Sequence, residues 1–271
     1  MLCLGGNWLV SGGIKIAKKF RISNLVIGMT IIAYGTSAPE LAASIAAAGE
    51  HSAIILGNIV GSNIANIGMV VGFAAILTPL AIQKSVLRKE IPIMLGVSAL
   101  LILISVDGEI SQYDGILLLI GLGVFGFYTF RNALKHRENA EDSTDSDKGN
   151  VYLKSAVLIG IGIVVLYVGS ILTVDNAVVL ATEFGLSEKI IGLTVIAIGT
   201  SLPELITSII AIRKGHTDIG IGNIIGSNIY NVLMIMGVGA SLGGILITSD
   251  VYVDYAIMII FGISLLVGFK T

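Results

Sequence analysis

The chain has 271 residues, of which 55% are hydrophobic and only 13% are charged, and its mean hydropathy is +0.95. Soluble domains carry about 25% charged residues, so this composition excludes an ordinary soluble protein and indicates an integral protein of the lipid bilayer. A net charge of −2 without a basic patch gives no indication of nucleic-acid binding, and the single Cys3 excludes an internal disulfide.

Apolar stretches of membrane-spanning length recur along the chain and predict an all-α membrane fold. They lie at residues 24–48, 53–78, 86–106, 113–132, 154–182, 188–212, 217–247 and 251–269, and residues 1–17 resemble half of another span. The polar run 131–150 is too short to form a domain. It predicts two membrane halves, 1–132 and 154–271, joined by a solvated linker, 133–153.

The two halves are internal repeats of each other. A shift of 164 residues carries the segment Gly35–Glu40 onto Gly199–Glu204, and a shift of 165 carries Gly57–Asn63 onto Gly222–Asn228. So many identities at a nearly constant offset are a strong repeat signal. By this alignment a complete version has five helices per half and ten in all. We expect this chain to lack the first turns of the first helix and the whole tenth helix.

The charges of the loops predict the orientation of the chain. Lysines and arginines concentrate in alternate loops and in the linker 133–153, while the intervening loops carry mainly acidic residues. The basic loops and the linker are therefore expected on the cytoplasmic side of a multi-pass prokaryotic cell-membrane protein. An odd number of helices per half inserts the second half inverted relative to the first. Inverted repeats are a transporter architecture, with a binding site near the midplane where discontinuous helices meet.

One repeated motif places a proline beside a carboxylate inside an apolar stretch, at Gly35-Thr36-Ser37-Ala38-Pro39-Glu40 and at Gly199-Thr200-Ser201-Leu202-Pro203-Glu204. A carboxylate costs several kcal/mol at membrane depth. A proline interrupts the helix and exposes nearby backbone carbonyls. Because both costs recur at matching places, the motif predicts a cation site built from two discontinuous helices.

The side chains around these carboxylates are hard oxygen donors. Within about one helical turn lie four hydroxyl groups, those of Thr36, Ser37, Thr200 and Ser201. A second repeated motif adds two pairs that each share a helical face, Ser62 with Asn66 and Ser227 with Asn231. This donor set, without thiolate or imidazole, favours Ca²⁺ or Na⁺ over zinc or copper. Two carboxylates neutralise one Ca²⁺ or partly neutralise several Na⁺, which is an electrostatic basis for exchange.

The paired motifs resemble the alpha repeats of the sodium/calcium exchanger branch of the cation/Ca²⁺ antiporter superfamily, in its prokaryotic type, over essentially the whole chain. The resemblance implies a secondary active antiporter that exchanges Na⁺ for Ca²⁺ by alternating access, with Glu40 and Glu204 as central ligands. It implies flanking Na⁺ sites made of side-chain hydroxyls and backbone carbonyls. The hydroxyls are those of Thr36, Ser37, Ser62, Thr200, Ser201 and Ser227, and the carbonyls are those of Ala33 and Ala197. It implies no cofactor and no obligate protein partner.

The sequence also bears on potassium dependence and on three alternative functions. Potassium-dependent exchangers, and some prokaryotic relatives, have Asp where this chain has Asn231, so the resemblance argues against K⁺ co-transport. A H⁺/Ca²⁺ exchanger would use the same two glutamates, and a cation channel is also lined by acidic groups. A membrane enzyme is disfavoured because no His or Cys lies at midplane depth near Ser37 or Ser201.

Overall fold

The computed structural model describes residues 1–47, 52–77, 82–138, 150–185, 197–248 and 250–268. Within these ranges the chain is almost entirely helical, as predicted. The described strands are two short antiparallel segments, β1 (Glu109–Ile110) and β2 (Ile245–Leu246), in which Glu109 pairs with Leu246 and Ile110 with Ile245. They join the loop before the helix that begins at Gln112 to the loop after the helix that ends at Gly243. The architecture is that of an all-α membrane protein.

The first half contains six described helices. They are α1 (Leu2–Phe20), α2 (Asn24–Thr36, with a π-helical turn at Gly28–Ile32), α3 (Ala38–Ala47), α4 (Ser52–Ala65, π-helical Asn66–Val71 and Gly72–Leu77), α5 (π-helical Val86–Glu90 and Ile91–Ile104) and α6 (Gln112–Glu138). A π-helical turn inside an α-helix is rare and is often found at functional sites. The turn in α4 begins at Asn66, one of the predicted site residues.

The second half contains five described helices. They are α7 (Asn150–Glu183), α8 (Ala197–Thr200), α9 (Leu202–Arg213), α10 (Thr217–Tyr230, π-helical Asn231–Met236 and Gly237–Gly243) and α11 (Val251–Gly268). The π-helical turn of α10 begins at Asn231, which is the repeat counterpart of Asn66. Residues 186–196, the start of the predicted span 188–212, lie outside the described residues.

Five described helices are long and apolar enough to cross a membrane: Ile55–Ile76, Gln112–Lys135, Tyr152–Glu183, Thr217–Gly243 and Val251–Gly268. A sixth crossing is formed if the bent pair Asn24–Thr36 and Ala38–Ile45 is one span. These findings establish a multi-pass membrane protein.

The predicted edges of the linker differ from those in the structure. Helix α6 continues to Glu138 and α7 begins at Asn150, so both run past the predicted boundaries at 132 and 154. The added turns contain good helix formers such as Ala133, Leu134 and Lys135, and a helix needs no apolar environment to continue beyond the membrane surface. Residues 139–149 of the predicted linker lie outside the described residues.

Helices α1 and α7, which correspond in the predicted repeats, pack side by side in opposite directions. A methyl group added at Gly5 would lie 2.9 Å from the carbonyl oxygen of Gly162, and one added at Gly12 would lie 3.0 Å from that of Ser155. Residues that come later in α1 therefore contact residues that come earlier in α7, so the two helices are antiparallel. Opposite directions for equivalent helices are what an inverted repeat requires, and glycine allows the two backbones to approach this closely.

Helix α10 forms the centre of the molecule. The most apolar 18 residues of its span Thr217–Gly243 are all buried inside the protein, whereas the buried share of the most apolar 18 residues is 44% in α4 and 22% to 28% in α6, α7 and α11. Gly222 lies against α2, where an added methyl group would approach the carbonyl oxygen of Leu25 to 2.6 Å, and Gly226 lies against Met29 and Ala33. The two glycines therefore allow α10 to approach the backbone of the first discontinuous helix.

Candidate cation site

Both predicted discontinuities are present, and each lies at the serine of the motif. Helix α2 ends at Thr36 and α3 begins at Ala38 after a bend of 42°, while α8 ends at Thr200 and α9 begins at Leu202. Pro39 therefore occupies the first turn of the following helix, where its missing N–H needs no helical partner. The break positions the motif glutamates in the first turns of α3 and α9.

The carbonyl of Ala33 is not exposed by Pro39, contrary to our expectation. It accepts hydrogen bonds from the backbone N–H of Ser37 at 3.0 Å and from the Thr36 hydroxyl at 3.2 Å. Proline removes only the bond to the residue four positions earlier, which is Gly35 rather than Ala33. Ala197 is the first residue of α8, four residues before Ser201.

Glu40 and Glu204 are both completely buried, but they differ in hydrogen bonding. Oε1 of Glu204 accepts from the hydroxyls of Ser37 at 3.2 Å and of Ser227 at 3.4 Å. Oε2 of Glu204 and both carboxylate oxygens of Glu40 have no partner within the described part of the chain. A buried carboxylate without a partner is costly, so three oxygens here suit a bound cation.

Each motif threonine bonds across to the other half of the molecule. Thr36 donates to Oδ1 of Asn223 at 3.1 Å, with the hydroxyl of Ser227 at 3.5 Å. In the same way, Thr200 donates to Oδ1 of Asn58 at 3.1 Å, with the hydroxyl of Ser62 at 3.5 Å. The two sets correspond under the repeat shifts of 164 and 165 residues. These contacts hold α2 against α10 and α8 against α4.

Asn58 and Asn223 are buried residues of the second repeated motif whose role was not predicted from the sequence. Each accepts the hydrogen bond of a motif threonine, and Asn223 also donates to the Ser208 hydroxyl at 2.9 Å. A signal was available: each asparagine lies four residues before a predicted site serine, Ser62 or Ser227, and therefore on the same helical face.

The remaining predicted residues also lie inside the protein. Ser201 is buried and its hydroxyl has no partner among the described residues, and the same is true of both amide atoms of Asn66. Asn231 is buried and donates through Nδ2 to Oδ1 of Asn63 at 3.0 Å, while its own Oδ1 has no described partner. Carboxylate, hydroxyl and amide oxygens with unused lone pairs are the donor chemistry that hard cations require.

The described residues contain no group of three or more His, Cys, Asp or Glu side chains that could hold a metal ion. The acidic groups that the structure brings to the two helix breaks are two, Glu40 and Glu204. Coordination of a cation here would therefore depend on neutral oxygens as well as on these carboxylates.

Comparison with known proteins places this arrangement in a family. The family model described as sodium/calcium exchanger protein matches residues 1–131 and 154–270. The inner membrane protein YrbG of Escherichia coli is 38% identical over 263 residues, covering 94% of this chain and 81% of the relative. The sodium/calcium exchanger MaX1 of Methanosarcina acetivorans is 30% identical, covering 87% of this chain and 78% of the relative.

A solved structure shows the same fold. The sodium-calcium exchanger NCX_Mj, in a structure soaked with Na⁺ and Sr²⁺, superposes with a TM-score of 0.85 at 34% sequence identity, covering 99% of this chain and 87% of that one. The chain is therefore a member of the sodium/calcium exchanger family, a family of membrane transporters that exchange cations for Ca²⁺.

Proposed function

We propose that this protein is a secondary active antiporter that exchanges Na⁺ for Ca²⁺ by alternating access and extrudes calcium without potassium. One observation carries the proposal: Glu40 and Glu204, from two broken helices, are wholly buried, and three of their four carboxylate oxygens have no described partner. Membership of the sodium/calcium exchanger family supports the same ions. No cofactor and no obligate protein partner is required for this activity.

We assign Glu40 and Glu204 as the central ligands of both ions. Two carboxylates balance the charge of one Ca²⁺, and the same buried charge can instead be balanced in part by Na⁺ ions, so either load makes the site electrically acceptable in a low-dielectric interior. We assign the neutral oxygens around the glutamates to the Na⁺ sites. The side-chain oxygens are those of Thr36, Ser37, Ser62, Asn66, Thr200, Ser201, Ser227 and Asn231, and the backbone oxygens are the carbonyls of Ala33 and Ala197. The Ala33 carbonyl accepts from the backbone N–H of Ser37, and the single hydroxyl proton of Thr36 is shared between this carbonyl and Oδ1 of Asn223. The carbonyl can therefore bind Na⁺ when Asn223 takes the Thr36 proton.

Asparagine at positions 66 and 231 supports potassium independence. Both side chains are buried and neutral, so the acidic groups at the helix breaks remain two. A third carboxylate would add a negative charge that a further monovalent cation could balance. We also propose that the basic loops and the linker 133–153 face the cytoplasm, with membrane halves 1–132 and 154–271 on either side of that linker.

Calcium uptake into everted membrane vesicles tests the proposal. Vesicles loaded with Na⁺ should take up ⁴⁵Ca²⁺ when diluted into Na⁺-free medium, equally with and without K⁺, and Glu40→Gln or Glu204→Gln should lower uptake by about 100-fold or more. Glu90→Gln is a matched control, since Glu90 is a buried glutamate of α5 that hydrogen bonds to Tyr128 rather than to site residues. It should keep uptake near the unmodified rate.

The same vesicles separate the competing functions. Uptake driven by a pH gradient in place of the Na⁺ gradient would identify a H⁺/Ca²⁺ exchanger. Continuous conductance without saturable counterflow would identify a channel. A requirement for K⁺ would contradict the assignment of Asn231.

A further inference from the structure

A buried hydrogen bond joins the amides of Asn63 and Asn231 across the two halves of the molecule. Oδ1 of Asn63, in α4, accepts from Nδ2 of Asn231, in α10, at 3.0 Å, and both side chains are about 1% exposed. Asn231 lies four residues after Ser227, whose hydroxyl donates to Glu204, so the pair adjoins the carboxylate site. Asn63 is the last residue of the repeated motif Gly57–Asn63.

The surroundings of Asn63 fix the direction of this hydrogen bond. Nδ2 of Asn63 donates to the backbone carbonyl of Asn228 at 3.4 Å and faces the sulfur of Met258 at 3.7 Å. Both neighbours are acceptors only, so the amide cannot turn its oxygen toward them without losing both contacts. The oxygen of Asn63 must therefore face position 231, and that position must supply a donor.

The consequence for Asn231 is a fixed orientation. Its Nδ2 is held by Asn63, which leaves Oδ1 on the opposite side of the same planar amide. That oxygen is buried and has no described partner, as expected for an oxygen that receives a cation. An amide that was free to rotate would present its N–H₂ group to the cation in part of its orientations, and a cation repels that group.

The equivalent residues of the other half are arranged differently. Asn228, the counterpart of Asn63, donates through Nδ2 to the carbonyl of Ile224 in its own helix at 2.8 Å. Asn66, the counterpart of Asn231, has no described partner at either amide atom. The structure thus fixes the amide of Asn231 and not that of Asn66.

We infer that Asn63 is a positioning residue for cation binding, which orients the Asn231 amide so that its oxygen faces the transported ion. Asn63 acts through Asn231 and does not itself bind the ion. The acceptor at Asn63 also favours a neutral amide over a carboxylate at position 231, because an ionised Asp there would place an oxygen against Oδ1 of Asn63. The inference rests on the proposed exchange activity and assigns a specificity-determining contact within that site.

A double-mutant cycle tests the inference by comparing Asn63→Leu, Asn231→Leu and the double variant in the vesicle assay. Asn63→Leu should raise the Ca²⁺ concentration for half-maximal uptake by about tenfold, the size expected for one buried hydrogen bond, with little change in maximal rate. The double variant should be no worse than Asn231→Leu alone, because the two residues act as a unit. Asn228→Leu is the matched control and should leave half-saturation within about twofold, since its Nδ2 donates to the Ile224 carbonyl of its own helix and orients no proposed ligand.

Three results would overturn the inference: additive effects in the cycle, an equal effect of Asn228→Leu, or a loss of maximal rate with unchanged half-saturation. If Asn63→Leu does not fold, Asn63→Ala removes the same acceptor with a smaller side chain and is read in the same way. The Ca²⁺-induced rise in Tm of the purified protein is measured in parallel. If unmodified protein shows this rise but no Na⁺-driven uptake, the proposed exchange fails while the cycle, measured on Tm, still decides the role of Asn63.

Discussion

The two halves of the cation site are built from the same residues but are hydrogen bonded differently. Thr36 and Thr200 make equivalent bonds to Asn223 and Asn58. The serines that follow them do not match: Ser37 donates to Glu204, whereas the hydroxyl of Ser201 has no described partner. The threonine contacts thus follow the repeat and the carboxylate contacts depart from it.

The threonine–asparagine contacts therefore act as a scaffold, and the two carboxylates with their hydroxyl partners are the part of the site that responds to ions. The threonine–asparagine hydrogen bonds join neutral groups, so they need no cation to balance charge and can hold the discontinuous helices in the ion-free state. Glu204 is partly compensated by two hydroxyl groups, while Glu40 has no described partner. We therefore expect Glu40 to gain more from a bound cation than Glu204 does.

The largest difference between the two glutamates is expected when each is neutralised in turn and stability is measured without ions. In a calcium chelator and without Na⁺, Glu40→Gln should raise the free energy of unfolding more than Glu204→Gln, by about 1–3 kcal/mol, because the unpartnered carboxylate carries the larger desolvation cost. In Glu204→Gln the amide oxygen can still accept from Ser37 and Ser227. Thermal unfolding in detergent measures the difference.

Glu90→Gln serves as the control for this measurement, because it neutralises a buried glutamate outside the site. Equal stabilisation by Glu40→Gln and Glu204→Gln would show that the hydroxyl groups of Ser37 and Ser227 do not compensate Glu204.

The two motif serines should differ in the same direction as the glutamates, by a smaller amount. Ser37→Ala removes a donor from a buried carboxylate and should cost about 1–3 kcal/mol of ion-free stability. Ser201→Ala removes a hydroxyl that makes no described bond and should change ion-free stability by less than about 0.5 kcal/mol. Both variants should weaken cation affinity, because both serines are proposed ligands. Chemical unfolding in chelator, followed by Ca²⁺ titration, measures the two effects separately, and equal losses of ion-free stability would contradict the asymmetry.

The helix breaks could be predicted from sequence because proline acts locally. Pro39 and Pro203 place the discontinuities within two residues of the observed ones at Ser37 and Ser201. The hydroxyl residues of the two motifs, with Asn66 and Asn231, could also be singled out, since the same residue types recur at a nearly constant offset, but Asn58 and Asn223 were missed. Both signals are properties of the chain that do not depend on how the helices pack.

Features that depend on packing could not be predicted. The apolar patterns of α4 and α10 are similar, yet the most apolar 18 residues are all buried in α10 and only 44% buried in α4, because burial depends on which helices surround them. The role of Asn63 depends on an acceptor contributed by Met258, which is 195 residues away in the chain. Local sequence also failed for the Ala33 carbonyl, whose two donors follow from the geometry of the bend at Ser37.

The smallest effect is expected at two glycines that correspond in the repeat, Gly72 of α4 and Gly237 of α10. A methyl group added at Gly72 would meet no described atom within 4 Å, whereas at Gly237 it would lie 3.1 Å from the side chain of Leu119 and 3.3 Å from the carbonyl oxygen of Gly115. Gly72→Ala should stabilise the protein by about 0.5–1 kcal/mol through helix propensity alone.

The same gain at Gly237 is offset by displacement of the Leu119 side chain, which costs about 1 kcal/mol or more. Gly237→Ala should therefore be neutral or destabilising, and the two variants should differ by about 1 kcal/mol in thermal unfolding. Neither glycine supplies a side chain to the cation site, so Na⁺-driven calcium uptake should be preserved in Gly72→Ala. Equal stability of the two variants would mean that the closer packing of α6 on α10 does not change the free energy of unfolding. The two halves would then differ only at the carboxylates.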